Sequence, residues 1–476
     1  MLCPVGRRAM TDLHRETAAS IAGRVRSGAL SAVAVAQAAL ARIAAHDPAL
    51  NAFTAVTADR ALAEAGRVDA AVAAGRDPGP LAGVPYAVKN LFDVQGVTTL
   101  AGSIIERRRP PAAADGFAVA RLAAAGGVCV GCLNMDEYAY GFTTENSHYG
   151  ACHNPHDLAR IAGGSSGGSG AAVAGGLVPI TLGTDTNGSI RVPASLNGIW
   201  GLKPSYGRLS RGGSIAFVSS LDHIGPFARD VADLALAYDA LQGDDPDDPA
   251  QARRAAEPVS AVLSSGIAGL RVARLGGHFA RNGAAEMHAI ADRVAAALGA
   301  ADTVDLADAA AARAAAFLIT GAEGAQLHLA DLRTRPQDFE PLSRDRLLAG
   351  AMIPAQWVLK AQRLRAAFRA QAAALFRDFD ILVAPATPSA ATPIGQDSLV
   401  VDGQSIPLRP SFGVFTQPIS FIGLPVLAVP VQDAMGGLPA GVQLIAAPWA
   451  EATLFRAAAH LERAGICAAP VAARFQ

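Results

Sequence analysis

An α/β fold built as one domain is what this sequence predicts, and three observations carry the prediction. Short apolar, strand-like runs alternate with alanine-rich helical segments, the pattern that sets helices against a sheet. Strand-like runs occur in both halves of the chain, so one sheet assembled from both is expected. The composition permits it: 476 residues, 51% apolar and 17% charged, supply a large core and are too apolar for a disordered chain.

In chain order, residues 11–46 read as helices, because Leu13, Ile21, Val25, Val33, Val35, Leu40 and Ile43 recur at near-helical spacing. "SGALS", Ser27–Ser31, marks a turn between two of them. Residues 58–76 form another helix, ended near Gly75 and Pro78, since glycine caps a helix and proline cannot continue one. "GVPYAVKNLFDV", residues 83–94, reads as a strand ending at Lys89. "AVARLAAAGG" is a short helix stopped by Gly126, and "VCVGCLN" a short buried strand. "GGSGAAVAGG" is a helix that begins in glycines, and "LVPITLGTD" the next strand. Residues 241–258 are polar and proline-bearing, a surface loop or a boundary within the fold. Residues 281–316 and 354–378 are alanine-rich and read as amphipathic helices. "FDILVAPATP", 379–388, is a buried strand broken by prolines. "GLPVLAVPV" and "GVQLIAAPW" are two further strands, and "EATLFRAAAHLER" is the final helix.

Charge and cysteine usage exclude several classes. A formal net charge of −1 gives no electrostatic reason to expect a nucleic-acid partner. The basic run Arg107–Arg109 reads as a solvated loop. Five cysteines, an odd number in a long chain, do not make a disulfide framework, and a reducing cytoplasm fits best. "MLCPVGRRAM" is followed by no apolar region, so no secretory signal is expected. Residues 1–10 are expected to be a disordered extension, with 11–476 as the domain. No long uncharged apolar run predicts a transmembrane helix. Cys129 and Cys132 form C-x-x-C without the second pair a zinc ribbon needs, and read as buried strand thiols. Cys152, His153 and His156 fall in "GACHNPHDLAR", read as a plain loop rather than a metal site. His223 is expected to pack in the core or bond a backbone group.

The stretch from Gly163 to Arg191, "GGSSGGSGAAVAGGLVPITLGTDTNGSIR", is the one that suggests chemistry. It lacks the lysine of a phosphate loop and the spacing of a dinucleotide fingerprint. Its apolar middle is unlike a linker. Ser189 sits in "TDTNGSIR", a tight turn after an apolar strand. Amides of Thr186, Asn187, Gly188 and Ser189 can converge there on an oxyanion. Ser165 opens a helix and Lys89 ends a strand. A lysine acts as a base only when neutral, and bringing one to near pH 7 takes roughly 4–5 kcal/mol of desolvation. Ser–Lys arrangements are a known variant of the Ser-His-Asp logic. A structural serine in a glycine-rich turn and a solvated lysine remain the plain alternatives at this point.

"GVPYAVKN", "GGSSGGS", "GTDTNGSIRVPAS" and "GLKPSYGRLS" together resemble the amidase signature family. Supporting similarity in "NMDEYAYGFTTENSHYG", "SSLDHIGPFARDVADLA", "FDILVAPATP" and "GLPAGVQLIAAPWAEATL" extends it from about residue 11 to 465. The resemblance implies an α/β/α sandwich with a mixed central sheet and a serine amidohydrolase site. It implies Lys89 as base, Ser165 as bridging serine after a cis Gly164–Ser165 bond, and Ser189 as nucleophile. The amides of Thr186, Asn187, Gly188 and Ser189 would hold the oxyanion, with no metal or organic cofactor. Asp185 and Arg191 match a pair that braces the turn, and Ser166 and Ser169 are expected to cap the following helix. Many relatives have glycine where this chain has Asn187. Asparagine tolerates a left-handed backbone, and its side chain is expected to narrow the pocket or meet substrate. Tyr138 and the segment Thr143–Asn146 are expected to line the pocket. Arg333 and Arg335 fall in a region that sets selectivity in relatives, where an arginine can grip a carboxylate.

"TNGSIRVPAS" with "DEYAYGFTTENSHYG" is most similar to members acting on small ureido or amide acids, of which 1-carboxybiuret is one. Those work with a small helical partner similar to the C subunit of tRNA amidotransferases. The resemblance therefore implies hydrolysis of a small carboxylated amide or ureide with release of ammonia, by a cytoplasmic oligomer that touches neither membrane nor nucleic acid directly. One alternative is the A subunit of a glutamyl- or aspartyl-tRNA amidotransferase. Another is a non-catalytic subunit that keeps the fold, against which the intact Lys89, Ser165 and Ser189 argue.

Overall fold

Eleven strands taken from both halves of the chain join in one mixed sheet. They are β1 (Phe53–Val56), β2 (Pro85–Lys89), β3 (Val128–Leu133), β4 (Ile180–Asp185), β5 (Trp200–Lys203), β6 (His223–Ala228), β7 (Val272–Leu275), β8 (Asp302–Val304), β9 (Ile381–Pro385), β10 (Val426–Met435) and β11 (Leu438–Ala446). Their spatial order is β1-β3-β2-β4-β6-β5-β10-β11-β9-β7-β8. β3, β2 and β4 run parallel, as do β9, β7 and β8. The middle of the sheet is antiparallel. The structure is a computed structural model and describes residues 13–476. The extension expected at residues 1–10 lies outside the described residues.

Every residue of β2, β3, β4, β6 and β9 is buried. Both faces of the central strands are therefore covered, as the continuous apolar runs require. β10 and β11 form a hairpin whose turn, Gly436–Gly437, has φ of +61° and +79°. Two left-handed residues match the twist of paired strands, and glycine adopts them without a Cβ penalty.

The N-terminal helices are set by their caps. Thr17 accepts from the Ser20 amide ahead of the helix Ala18–Arg26. Ser31 accepts from the Ala34 amide ahead of Ala32–Leu50. Each satisfies one orphan first-turn donor, and the turn expected at Ser27–Ser31 falls between them. The final helix, Glu451–Arg463, coincides with its prediction.

Two expectations need correction. Residues 281–316 are not one helix. The helix Ala285–Ala297 is followed by the edge strand β8 and then the helix Ala309–Thr334. The break comes at Gly299, whose φ of +77° turns the chain. Ser166 and Ser169 do not cap the helix Gly167–Ala174 with their side chains. Ser166 Oγ donates to Thr184 O at 3.2 Å and Ser169 Oγ to Leu182 O at 2.9 Å. That helix is buried along its whole length, so its hydroxyls meet carbonyls of β4 rather than water or their own first turn. Arg107–Arg109 is exposed as expected, with Arg107 over the Tyr149 ring.

Candidate active site

Parallel β3, β2 and β4 deliver their carboxyl ends to one edge, where α/β sheets place ligand sites. Lys89 is the last residue of β2 and Asp185 the last of β4. The Gly164–Ser165 peptide between them in sequence is cis. Lys89 is fully buried. Its Nζ lies 2.6 Å from Ser165 Oγ and 2.9 Å from Thr184 Oγ1. Burial lowers its pKa to about 7, against the partial opposition of Asp136, Asp222 and Asp185. An amine that is neutral near pH 7 and hydrogen-bonded to a hydroxyl can take that hydroxyl's proton.

The turn after β4 is held from beneath. Asp185 accepts from the Gly188 amide at 2.7 Å and the Ile190 amide at 3.2 Å. Its carboxylate also takes Arg191 Nε at 3.0 Å and a terminal nitrogen at 2.9 Å. The other Arg191 donors reach Gln443 Oε1, Thr416 O and Ser420 Oγ, so all five guanidinium donors are engaged. Burial alone would raise the Asp185 carboxyl, but Arg191 holds it well below the usual carboxylate range. His223 Nδ1 lies 3.0 Å from Asp185 O, and burial depresses its pKa. Gly188 sits at φ +140°, and a Cβ there would fall 2.2 Å from Thr416 Oγ1. Only glycine fits.

This arrangement changes the expected oxyanion set. The Gly188 amide is committed to Asp185 and is not available to a ligand. The amides of Thr186, Asn187 and Ser189 make no intramolecular hydrogen bond among the described residues.

Ser189 opens into a narrow cleft. Tyr140, Phe142, Phe217 and Phe317 form its apolar walls, and Asn187, Arg346 and Gln417 supply its polar side chains. A larger cavity, of about 230 Å³, shares Ala139, Thr186 and Phe217 with the cleft and reaches Thr184.

Several expected pocket residues lie elsewhere. Tyr138 is behind the wall: its hydroxyl donates to Glu106 at 2.9 Å and its ring packs 3.9 Å from His328. Arg333 is exposed at the end of the helix Ala309–Thr334. Arg335, just beyond it, pairs with Asp331. Neither arginine lines the cleft, because the helix carries them past its rim. In Thr143–Asn146, Thr144 and Asn146 act as braces. The Thr144 amide donates to Asp136 and its Oγ1 accepts from the Gly167 amide, while Asn146 Nδ2 donates to Gly102 O and Met135 O. Asp136 also takes Arg409 and supports the Gly164–Ser165 segment, with its amide 3.3 Å from Ser165 O.

Cys129 and Cys132 are buried on β3, where burial pushes both thiols up. His153 and His156 face the carbonyls of Leu158 and Asn197. Thr184, Arg346 and Gln417 were not singled out in the sequence. Thr184 stands inside the signature stretch, so its place beside Lys89 had a signal. Arg346 and Gln417 had none, because long-range packing alone brings them to Ser189.

The family model for Amidase matches residues 34–455. AtzE, a component of the 1-carboxybiuret hydrolase of Pseudomonas sp. (strain ADP), is 57% identical over 443 residues, covering 93% of this chain and 97% of that protein. The A subunit of the glutamyl-tRNA(Gln) amidotransferase of Anaeromyxobacter sp. (strain K) is 41% identical over 483 residues, covering 94% and 95%. A solved structure described as an unexpected vestigial protein complex, revealing the evolutionary origins of an s-triazine catabolic enzyme, matches with a TM-score of 0.94. It is 56% identical, over 95% of this chain and 100% of that one. A bacterial aryl acylamidase of the amidase signature family matches with a TM-score of 0.86 at 30% identity, over 95% and 96%.

Proposed function

This chain belongs to the amidase family and is an amidohydrolase, and on that footing we propose that it cleaves a C–N amide bond of a small carboxylated amide or ureide, 1-carboxybiuret-like, with release of ammonia. The observation that carries the reading is the buried Lys89, 2.6 Å from Ser165 Oγ and 2.9 Å from Thr184 Oγ1, two residues ahead of the turn whose Ser189 lines the cleft.

In this reading Ser189 Oγ attacks the carbonyl carbon. Its proton passes to Ser165 Oγ while Ser165 gives its own to neutral Lys89. The tetrahedral oxyanion accepts from the amides of Thr186, Asn187 and Ser189, each such donor contributing about 3–4 kcal/mol to the transition state. The C–N bond breaks as the nitrogen takes the proton back through Ser165, and ammonia leaves. Water then adds to the acyl group on Ser189, losing its proton by the same route, and the freed acid departs. The chain's own residues supply each proton transfer.

The partner in this reading is a small helical protein similar to the C subunit of tRNA amidotransferases, within an oligomer. What supports it is the AtzE relative and the complex from which the similar structure comes. The 41% identity to the A subunit of glutamyl-tRNA(Gln) amidotransferase keeps a second role in play, ammonia delivery to a tRNA-bound partner. Ammonia release is to be screened across biuret derivatives, oxamates, ureido acids and simple amides, with Ser189→Ala as control. Turnover of a carboxylated ureide by the wild type alone is the expected result. Failure on every free small amide, together with copurification of a tRNA-binding partner, would replace the proposal with the second role.

A further inference from the structure

Ala139, Thr186 and Phe217 line both the serine cleft and the larger cavity beside it. Ala139 offers only a methyl group, and the Thr186 hydroxyl is turned to Asp222 Oδ1 at 2.6 Å. Phe217 alone has a side chain large enough to divide one space from the other. It is buried and held from several sides. Its amide donates to Asp222 Oδ2 at 2.8 Å, and the next amide, of Val218, donates to the same oxygen at 2.9 Å. Its ring centre lies 4.8 Å from that of Tyr140. The helix Ala309–Thr334 comes so close at Gly324 that a Cβ there would fall 2.8 Å from the Phe217 ring. A ring pinned through backbone and packing cannot swing aside without moving its neighbours. The partition belongs to the fold.

The cavity beyond the ring lies on the side of the lysine. Thr184, whose Oγ1 is 2.9 Å from Lys89 Nζ, lines it. In the reaction proposed above, the departing nitrogen takes its proton through Ser165, the other hydroxyl at Lys89 Nζ. That nitrogen therefore faces this side of the serine. The cavity offers about 230 Å³, against roughly 10–15 Å³ for one water. Leu91, Ile215 and Ile224 give it apolar walls, and Asp247 and Pro249, both exposed, bring it to the surface. Room for a substituent on the leaving nitrogen thus exists, and the Phe217 ring stands in front of it.

We propose that Phe217 restricts the leaving group to ammonia: its ring closes the lysine side of the cleft, so that primary amides are hydrolysed and N-substituted ones are excluded. This rests on the amide-hydrolysing reading above and adds what the leaving nitrogen is allowed to carry. Phe217 is a specificity-determining residue and takes no part in proton transfer. The discrimination is a steric clash against the larger substrate, so it is lost when the ring is shortened and the cleft joins the cavity.

The test compares kcat/KM for 1-carboxybiuret, read as ammonia, with that for the same compound carrying a propyl group on its terminal amide nitrogen, read as propylamine. Wild type, Phe217→Ala, Phe217→Leu and the double variant Phe217→Ala/Ala216→Phe are measured, and labelling of Ser189 by a fluorophosphonate is followed in parallel. Ala216 lines the cavity and is exposed, so a larger side chain there refills the space without loading the core. Wild type is expected to release ammonia and almost no propylamine. Phe217→Ala should raise the propylamine-to-ammonia ratio by about 10- to 100-fold, the factor gained by relieving an overpacked contact. Phe217→Leu should raise it less, and the double variant should fall back toward wild type. Phe217→Leu keeps most of the buried volume, so it decides the matter if Phe217→Ala fails to fold. An unchanged ratio in the folded variants overturns the inference. So does a wild type that handles both compounds equally, or a gain that survives Ala216→Phe. Each of those outcomes leaves ammonia release by the wild type, and with it the reading above, standing. A wild type labelled at Ser189 but active on neither compound overturns the ureide reading and this inference together. One that is neither labelled nor active removes the serine mechanism as well.

Discussion

Replacing Lys89 by methionine tests the base through two independent readouts. Burial brings this amine from 10.5 to about 7, a penalty of about 5 kcal/mol on its charged form. In the unfolded chain the same amine ionises near 10.5. Between about pH 7 and pH 10.5 the unfolded state therefore binds a proton that the folded state lacks, and stability climbs with pH across that window. Methionine has similar length and no charge, so Lys89→Met loses this contribution. In urea titrations, the stability of wild type relative to the variant should rise by about 2 kcal/mol between pH 7 and pH 9. Activity gives the second readout. Only the neutral amine accepts a proton, so wild-type kcat/KM for ammonia release should rise with pH along a limb centred near 7 and level off above it. Lys89→Met should lose about 100- to 10,000-fold, the usual contribution of a general base. A limb centred near 10, a stability difference flat from pH 7 to pH 9, or a variant retaining a tenth of wild-type activity would refute the argument.

Ser189→Ala should abolish ammonia release, by at least about 1,000-fold, while thermal melting stays within a degree or two of wild type; residual turnover near wild type would move the nucleophile elsewhere. Gly188→Ala should abolish fluorophosphonate labelling at Ser189 and lower the melting temperature, because its Cβ would fall 2.2 Å from Thr416 Oγ1. Asp185→Asn should cost about 3–5 kcal/mol in urea titrations by leaving Arg191 buried without its counter-charge. Arg191 depresses the Asp185 carboxyl, so its stabilisation is complete above the unfolded value of 3.8 and declines only as pH falls below it. The penalty of that variant should therefore be the same at pH 5 and pH 8.

Local chemistry made much of this fold legible. Thr17 and Ser31 announce helix starts, and Glu451–Arg463 has a clean amphipathic period. β2, β3 and β4 are short apolar runs bounded by glycine or proline. What escaped was structure whose local signal points the wrong way. β6 was not singled out as a strand, since Gly225 and Pro226 are residues that ordinarily punctuate turns, yet it lies in the middle of the sheet between β4 and β5. β8 is three residues inside an alanine-rich stretch, and the composition of its neighbours masked it. The same division holds at the site. Lys89, Ser165, Asp185 and Arg191 sit in compact motifs, where glycine, serine and charge signal a function. Arg346 and Gln417 sit in ordinary helical or loop sequence and reach the cleft only through tertiary packing. Arg333 and Arg335 were reasonable candidates by region, but helical geometry carries them beyond the rim.

The five-fold grip on Arg191 reaches from the serine turn to Gln443 on β11. The brace beneath the serine turn is thus completed only where β11 takes its place in the sheet, so the backbone that carries Ser189 and the β10–β11 hairpin are held as one unit.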